Sequence, residues 1–143
     1  MNETIKLQVA AKALIENADG QILILREAAT YKDGTHAGRY HLPGGRLEEG
    51  EAFYDGLARE VKEETGLTVE PIRPLHVGEW RPVIREVQHQ IIALFMLCRT
   101  KETAFALSDE HDGALWIDPR EYTKYNLLDP EDQVVESYVR DLK

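Results

Sequence analysis

Three glutamates at helical spacing constrain this chain more than any other feature. Glu60, Glu63 and Glu64 occupy positions i, i+3 and i+4 of the segment AFYDGLAREVKEETG, so a helix would project their carboxylates from neighbouring positions on one surface. Like charges at this spacing destabilise an isolated helix by about 0.2–0.5 kcal/mol per pair. A bound cation would offset this cost, and Mg²⁺ and Mn²⁺ prefer oxygen ligands. The pattern predicts a helix that binds a divalent metal ion and, through it, an anionic substrate.

Size and charge narrow the classes of function. The chain has 143 residues, of which 43% are hydrophobic, and this predicts one domain over residues 1–143. The net charge of −9 argues against a nucleic-acid groove and against a basic membrane-binding surface. The negative net charge does not exclude phosphate substrates, because a bound metal ion can supply positive charge.

Cysteine usage and the apolar runs predict a cytoplasmic protein. Cys98 is the single cysteine, so no internal disulfide can form, and no zinc-like Cys/His spacing is present. We expect Cys98 to be a buried small hydrophobe within its apolar run. The start, MNETIKLQV, lacks the features of a secretory signal, and no apolar run reaches the length of a membrane span.

Periodicity and turn signals predict a strand-rich chain with two helices. We expect strands at residues 5–15, 21–26, 87–99 and 114–118, with extended segments at 40–43 and 67–80. We expect loops at 27–39 and 100–110, and a hairpin turn at 17–20. We expect helices from residue 51 or 52 to 65, with Gly66 after the end, and at 130–142 with Asp129 as N-cap, plus a helical turn at 119–122. This order predicts an α+β sandwich, with residues 87–99 as a central strand.

The two helices should each bury one apolar face. In the first helix the predicted apolar face is Phe53, Tyr54, Leu57, Ala58 and Val61, with the carboxylates on its shoulder and Asp55 and Lys62 in water. In the second helix it is Val134, Val135, Tyr138, Val139 and Leu142.

The segment Gly45–Leu67 resembles the Nudix box, G-x5-E-x7-R-E-U-x-E-E-x-G-U, where U is a bulky apolar residue. Its specified positions are filled by Gly45, Glu51, Arg59, Glu60, Val61, Glu63, Glu64, Gly66 and Leu67. The resemblance implies an α+β fold of the Nudix type, an α/β/α sandwich with a mixed central β-sheet. It also implies hydrolysis of a nucleoside diphosphate linked to another group, with Mg²⁺ or Mn²⁺ as cofactor.

The same resemblance implies roles for individual residues. Glu60 and Glu64 would be the core metal ligands, Glu63 a further ligand, and the Gly44-Gly45 backbone would add a carbonyl. Arg59 would orient the carboxylates and Glu51 would support the loop before the helix.

A downstream acidic residue commonly completes such a site. Glu110 is the first candidate, followed by Asp109, Asp112 and Glu121. Either Glu63 or Glu110 could be the general base, and the sequence leaves this open.

Substrate-binding residues are less well marked. Arg46 and Arg26 are candidates for gripping phosphates. Residues that could stack on a base are Tyr31, His41, Trp80 and Phe95. The five histidines form no ligand pattern, so none is assigned to a metal.

Several functions compete. The leading one is a nucleotide pyrophosphohydrolase acting on a small nucleoside triphosphate. ADP-ribose or a nucleotide sugar is the alternative, because Pro82, 15 residues after the box, resembles a marker of ADP-ribose hydrolases. A nucleotide-sensing module without hydrolysis is less favoured because the box is intact. An isoprenoid diphosphate isomerase lacks a match for its extra cysteine, and the negative charge disfavours RNA decapping. Whether the protein forms a homodimer is left open.

Overall fold

The computed structural model describes residues 4–30 and 36–142. Its strands are β1 (Ile5–Glu16), β2 (Ile22–Glu27), β3 (Tyr40–His41), β4 (Gly44–Arg46), β5 (Glu70–Trp80), β6 (Val83–Ile84), β7 (Val87–Arg99) and β8 (His111–Ile117). Its helices are α1 (Phe53–Thr65) and α2 (Glu131–Arg140), with a 3₁₀ helix at Pro119–Lys124. Part of the predicted loop at 27–39 and one predicted stacking residue, Tyr31, lie outside the described residues.

The strands form one mixed sheet built around β1 and β7. These two strands run parallel over twelve residue pairs, from Ile5↔Gln88 to Glu16↔Arg99. The order along the sheet is β3-β2-β1-β7-β5, with β8 on β2, β4 on β1 and β6 on β7, and all the other pairings are antiparallel. Strands buried on both faces read as continuous apolar runs, which confirms residues 87–99 as a central strand.

The predicted turn at residues 17–20 joins β1 to β2. The side chain of Asn17 accepts backbone N–H groups from Asp19 and Gln21, each at 3.0 Å, and Gly20 has a φ of +74°. The two strands pair only at Glu16↔Ile22, because farther along β1 pairs with β4 and β2 pairs with β3. The turn is therefore confirmed, but the long hairpin ladder that a turn of this kind commonly nucleates is absent from the described strands.

The two helices cover opposite faces of the sheet. Leu57 and Val61 of α1 pack on one face with Ala11, Ala13 and Ile15. The other face carries α2, and its cluster includes Leu14, Phe95, Val134, Val135 and Tyr138. Val139 and Leu142 are partly buried against the same cluster, as predicted. The α/β/α sandwich is confirmed.

The ends of α1 follow the prediction, but its buried face does not. Gly66 ends the helix at a φ of +76° and its N–H donates to Lys62 O. Tyr54 and Ala58, predicted to be apolar contacts, are exposed, and the buried residues are Gly56, Leu57, Val61, Glu64 and Thr65. The helix is turned so that the edge carrying Glu64 faces the protein.

Two other boundaries differ from the prediction. The N-cap of α2 is Pro130 rather than Asp129, because the Asp129 carboxylate accepts a hydrogen bond from the side chain of Gln133 (2.5 Å) instead of from a backbone N–H. Strand β8 begins at His111 instead of residue 114, since its pairing with β2 extends to Glu27↔His111 across a bulge. Within the described residues, no helix is long and apolar enough to cross a membrane.

Candidate active site

Two glycines of β4 bring the backbone against the carboxylates of α1. A Cβ at Gly44 would lie 2.2 Å from the carbonyl oxygen of Ala11, and φ at Gly44 is +131°. A Cβ at Gly45 would lie 2.5 Å from Glu60 Oε2. Only residues without a side chain allow this approach, so these glycines set the distance between β4, β1 and the helix.

Glu64 is the buried carboxylate of the site. It is 5% exposed, and its Oε1 accepts the backbone N–H of Gly44 at 2.6 Å. Burial raises its pKa to about 8, and the charges of Glu60 and Glu110 add to this shift, while Lys12 and the Gly44 N–H oppose it. Removing a carboxylate from water disfavours its charged form, so a nearby cation would stabilise ionised Glu64.

Arg59 joins three carboxylates with one guanidinium group. Its Nε donates to Glu51 Oε2 at 2.6 Å and its Nη2 to Glu51 Oε1 at 2.9 Å. Its Nη1 lies 3.1 Å from Glu60 Oε1 and 3.2 Å from Glu63 Oε2. The hydrogen bonds from Arg59 lower the pKa of Glu51 to about 2, and burial raises the pKa of Glu60. This planar fork is suited to orienting carboxylates.

Of the downstream acidic candidates, Glu110 is the one whose carboxylate lies close to Glu64. Ligand atoms of Glu64, Glu110 and His111 lie within 4.8 Å of one another. Asp112 instead pairs with Arg26 at 2.6 Å, and Glu121 pairs with Lys124 at 3.1 Å. Asp109 is exposed on the loop before β8.

A histidine pair borders this group. The Nε2 atoms of His41 and His111 are 2.7 Å apart, and burial lowers the pKa of both rings, that of His111 to about 4. His41 Nδ1 lies 2.8 Å from Leu42 O, and a carbonyl oxygen can only accept, so Nδ1 carries the proton of neutral His41. His111 Nε2–H therefore donates to His41 Nε2. The sequence assigned no histidine to a metal, whereas the fold brings His111 beside Glu64 and Glu110.

A cavity of about 380 Å³ adjoins the histidine pair on the α2 face of the sheet. It is lined by Lys12, Glu27, His36, His41, Trp80, Arg81, Pro82, Leu128, Asp129 and Glu131. Of the predicted stacking residues, His41 and Trp80 therefore reach the cavity. Phe95 is fully buried in the core and cannot stack on a ligand there. The cavity volume of about 380 Å³ lies in the range of small-molecule sites, about 300–1,000 Å³.

The two candidate phosphate-binding arginines already have partners. Arg46 donates to the side chain of Gln8 at 2.9 Å, and its backbone carbonyl lies 3.4 Å from Arg59 Nη2. Arg26 donates to Asp112 at 2.6 Å. Both side chains are at the surface, where ion pairs and hydrogen bonds exchange readily.

The donor set fits a hard divalent cation. Glu60 lies against Gly45, and Glu64 lies close to Glu110 and His111. Burial raises the pKa of Glu64, and a nearby cation would favour its ionised form. Oxygen ligands of this kind are those preferred by Mg²⁺ and Mn²⁺.

Known proteins share this sequence pattern and fold. The family model described as NUDIX domain matches residues 6–140. A MutT-like protein of Streptomyces ambofaciens is 32% identical over 116 residues, which are 81% of this chain and 67% of that protein. The 8-oxo-dGDP phosphatase NUDT18 of Danio rerio is 38% identical over 106 residues, which are 74% of this chain and 30% of that protein. The chain thus spans about two thirds of one relative and less than a third of the other.

A solved structure extends the likeness to the whole chain. The crystal structure of a MutT protein from Methanosarcina mazei matches with a TM-score of 0.84 at 26% identity, covering 98% of each chain. Together with the family match over residues 6–140, this shows that the protein belongs to the Nudix family, the hydrolases that act on phosphoric anhydride bonds.

Proposed function

We propose that this protein is a nucleotide pyrophosphohydrolase whose substrate is a nucleoside triphosphate, which it cleaves by attack of water at phosphorus to release a nucleotide and pyrophosphate. The observation that carries the proposal is Glu64, a buried carboxylate placed against Gly44 and beside Glu60 and Glu110. A proton on Glu64 or a bound cation relieves this crowding of carboxylates, and with a cation bound it is an arrangement suited to a metal–diphosphate substrate.

The metal ion, Mg²⁺ or Mn²⁺, would be held by Glu60, Glu63, Glu64 and the carbonyl of Gly45, with Glu110 close by. When bound, such an ion neutralises phosphate charge and lowers the pKa of water. Arg59 keeps Glu60 and Glu63 aimed at the site through its hydrogen bonds. Arg46 and Arg26 would exchange their surface partners for phosphate oxygens.

Glu63 and Glu110 are the two candidates for the general base. Glu63 has a side chain that is 58% exposed and shares Arg59 with two other carboxylates. Glu110 is half-buried beside Glu64. The pH–rate profiles of Glu63→Gln and Glu110→Gln separate them, because loss of the base removes the acidic limb of the profile.

The position of the cavities favours a mononucleotide. The 380 Å³ cavity includes Trp80, at the end of β5, and meets the carboxylate group through His41 and His111. A second cavity, of about 550 Å³, includes Glu70 at the start of β5, roughly 30 Å away along the strand. One nucleoside therefore fits beside the carboxylates, with its phosphates on their side.

ADP-ribose or a nucleotide sugar is the second candidate, and Pro82 in the cavity lining is the observation in its favour. The Danio rerio relative is named for 8-oxo-dGDP, a single nucleotide, which supports the mononucleotide. A sensing module without turnover is disfavoured by the complete set of carboxylates.

The proposal is tested with Mg²⁺ or Mn²⁺ and a panel of nucleoside triphosphates, nucleotide sugars and dinucleotides, with products identified by mass. Glu64→Gln should lower kcat by about a hundredfold or more while the circular dichroism spectrum is unchanged. Glu121→Gln, which alters an exposed acid paired with Lys124, is the control. Near-normal metal-dependent turnover by Glu64→Gln would refute the assignment.

The sequence composition supports proposals about the domain organisation, location and partners of the protein. We propose that residues 1–143 form a single domain that acts in the cytoplasm on small nucleotides. We propose no nucleic-acid or membrane partner, since the chain carries a net charge of −9. Size-exclusion chromatography with light scattering would decide whether it forms a homodimer.

A further inference from the structure

The 380 Å³ cavity has a buried ion pair in its lining. Lys12 Nζ lies 3.2 Å from Glu131 Oε1, and the two side chains are 8% and 6% exposed. Lys12 belongs to β1, where its neighbours on the same face, Ala10 and Leu14, are part of the apolar core. Glu131 is the first residue of α2. The pair therefore joins the sheet to the helix in the lining of a cavity of small-molecule size.

A buried ion pair is by itself weak evidence for a role in stability. Moving two charged groups out of water costs several kcal/mol per ion, and replacing a buried pair with apolar residues of similar volume is often neutral or stabilising. The surrounding cluster on this face is apolar, so a leucine or methionine pair would pack there. Two charged groups at the lining of a cavity instead suit a ligand with a polar edge.

Both side chains retain hydrogen-bonding capacity. An ammonium group has three protons, and within the described chain Lys12 contacts Glu131 Oε1 at 3.2 Å and His41 Nδ1 at 3.5 Å. His41 Nδ1 donates its own proton to Leu42 O and cannot accept from Lys12. The carboxylate of Glu131 has about four acceptor sites, of which Lys12 occupies one.

The cavity also carries rings suited to a nucleobase. Trp80 and His41 are in its lining, and indole and imidazole rings stack on bases. A base held by these rings would present its edge to the ion pair. The donor and acceptor pattern of that edge then decides which base binds best.

We propose that Lys12 and Glu131 read the base of the nucleotide and select a guanine-type base, a purine with a 6-oxo and a 2-amino group; this rests on the proposed function, since the cavity is the nucleoside part of that site. Glu131 accepts from N1–H and from the 2-amino group, and Lys12 donates to O6, the acceptor to which lysine commonly binds in guanine. Adenine and cytosine offer the carboxylate one amino group, and inosine lacks the 2-amino group.

The test measures binding of nucleoside monophosphates by calorimetry in EDTA, so that neither metal nor turnover is involved. We expect GMP to bind about tenfold more tightly than IMP and AMP, the factor for a well-formed base contact. Glu131→Gln should bring GMP and IMP to within about twofold of each other, because the carboxylate that accepts the 2-amino group is gone. Lys12→Met should weaken GMP and IMP equally, since both carry O6.

Controls separate base reading from a role in folding. Glu136→Gln changes an exposed acid on the same helix and should leave the GMP preference intact. The double variant Lys12→Met/Glu131→Gln removes both charges together, so no unpaired charge is buried, and it should fold and lose the preference. Equal binding of GMP, IMP and AMP by the natural protein, a GMP preference retained in folded Glu131→Gln and in the double variant, or a preference for AMP would overturn the proposal.

The outcome of the binding test does not depend on whether the protein hydrolyses nucleotides. A GMP preference that depends on Glu131 would uphold base reading even if no nucleotide in the panel were hydrolysed, and the proposed function alone would fall. Hydrolysis of all nucleoside triphosphates at similar rates, together with equal binding of the monophosphates, would uphold the proposed function and overturn the base-reading residues.

Discussion

Arg59 shows how one side chain organises several functional groups. Its guanidinium group binds Glu51 through two nitrogen atoms and reaches Glu60 and Glu63 with a third. A lysine ammonium group is a point charge on a flexible stem and cannot make this planar, three-way contact. We therefore expect Arg59 to act as a positioning residue, whose replacement should disturb the direction of the carboxylates more than the fold.

Arg59→Lys should lower kcat/KM by about tenfold to a hundredfold, comparable to the loss of a residue that orients metal ligands. The melting temperature should change little, because the charge is retained. Arg99→Lys is the matched control, since Arg99 is 58% exposed and contacts Glu16 at 3.2 Å. Equal effects of the two substitutions would contradict the positioning role.

Glu64 should give the metal-free protein a distinctive pH dependence. Its pKa in the folded protein is about 8, against a usual value of 4.5, so the folded state holds a proton that the unfolded state has lost between these values. The stabilisation is complete below pH 4.5 and is lost as the pH rises through about 8. His41 and His111 have lowered pKa values, so their contribution to stability falls as the pH falls. That effect is confined to pH values below about 6.5.

Urea unfolding in EDTA at pH 6.5 and pH 8.5 isolates Glu64. The free energy of unfolding of the natural protein should fall over this interval, and that of Glu64→Gln should fall less, because glutamine does not titrate. An identical decrease in both proteins would show that Glu64 ionises normally.

At the scale of elements, the short strand β4 fixes the relation between the sheet and α1. Gly44 and Gly45 pair with Lys12 and Ala11 of β1, and each glycine excludes a side chain for a different reason. At Gly44 the obstacle is backbone, whereas at Gly45 it is the mobile end of the Glu60 side chain.

Alanine substitution should therefore separate stability from metal binding. Gly44→Ala should destabilise the protein by more than about 2 kcal/mol, since its Cβ meets the Ala11 carbonyl in an unfavourable backbone conformation. Gly45→Ala should keep most of the stability but weaken Mn²⁺ binding, because Glu60 must move.

Thermal unfolding and Mn²⁺ titration followed by electron paramagnetic resonance measure the two effects. Gly20→Ala, at a φ of +74° with no atom within 4 Å of the new Cβ, should cost about 1 kcal/mol and leave Mn²⁺ binding unchanged. Weaker metal binding in Gly20→Ala would contradict a local effect of Gly45.

The sequence predicts most elements because their periodicity and end signals are local. The sequence misses the orientation of α1, because apolar periodicity predicts that Tyr54 and Ala58 are buried and that Glu64 lies at the edge of the buried face. In the structure Glu64 points inward, where its carboxylate accepts the buried N–H of Gly44. His111 and Glu131 also escape, because only long-range pairing brings them to the site. Lys12 had a visible signal, a lone charge inside the apolar run VAAKALI.

For the whole molecule, the net charge of −9 and the carboxylates gathered at α1 should make the stability of the protein depend on divalent cations. An ion that binds only the folded state stabilises it by about 2.7 kcal/mol at a hundred times its Kd. For a chain of this size that corresponds to a rise of several degrees in Tm.

Adding Mg²⁺ or Mn²⁺ should therefore raise the melting temperature by several degrees, and Glu64→Gln should show a smaller rise. NaCl at the same ionic strength controls for general screening. A rise that is the same in both proteins would mean that the ions act elsewhere on the surface.

The parallel pairing of β1 with β7 has a consequence for how the chain is made. Residues 5–16 have their partners at 88–99, so β1 leaves the ribosome more than 80 residues before the parallel ladder with β7 can be completed. Contacts this distant in sequence slow folding. Because Glu110 and His111 of the carboxylate cluster follow β7 in the chain, we expect the candidate metal site to be completed late, and a nascent chain that stalls before residue 99 would carry the glutamates of α1 without these partners.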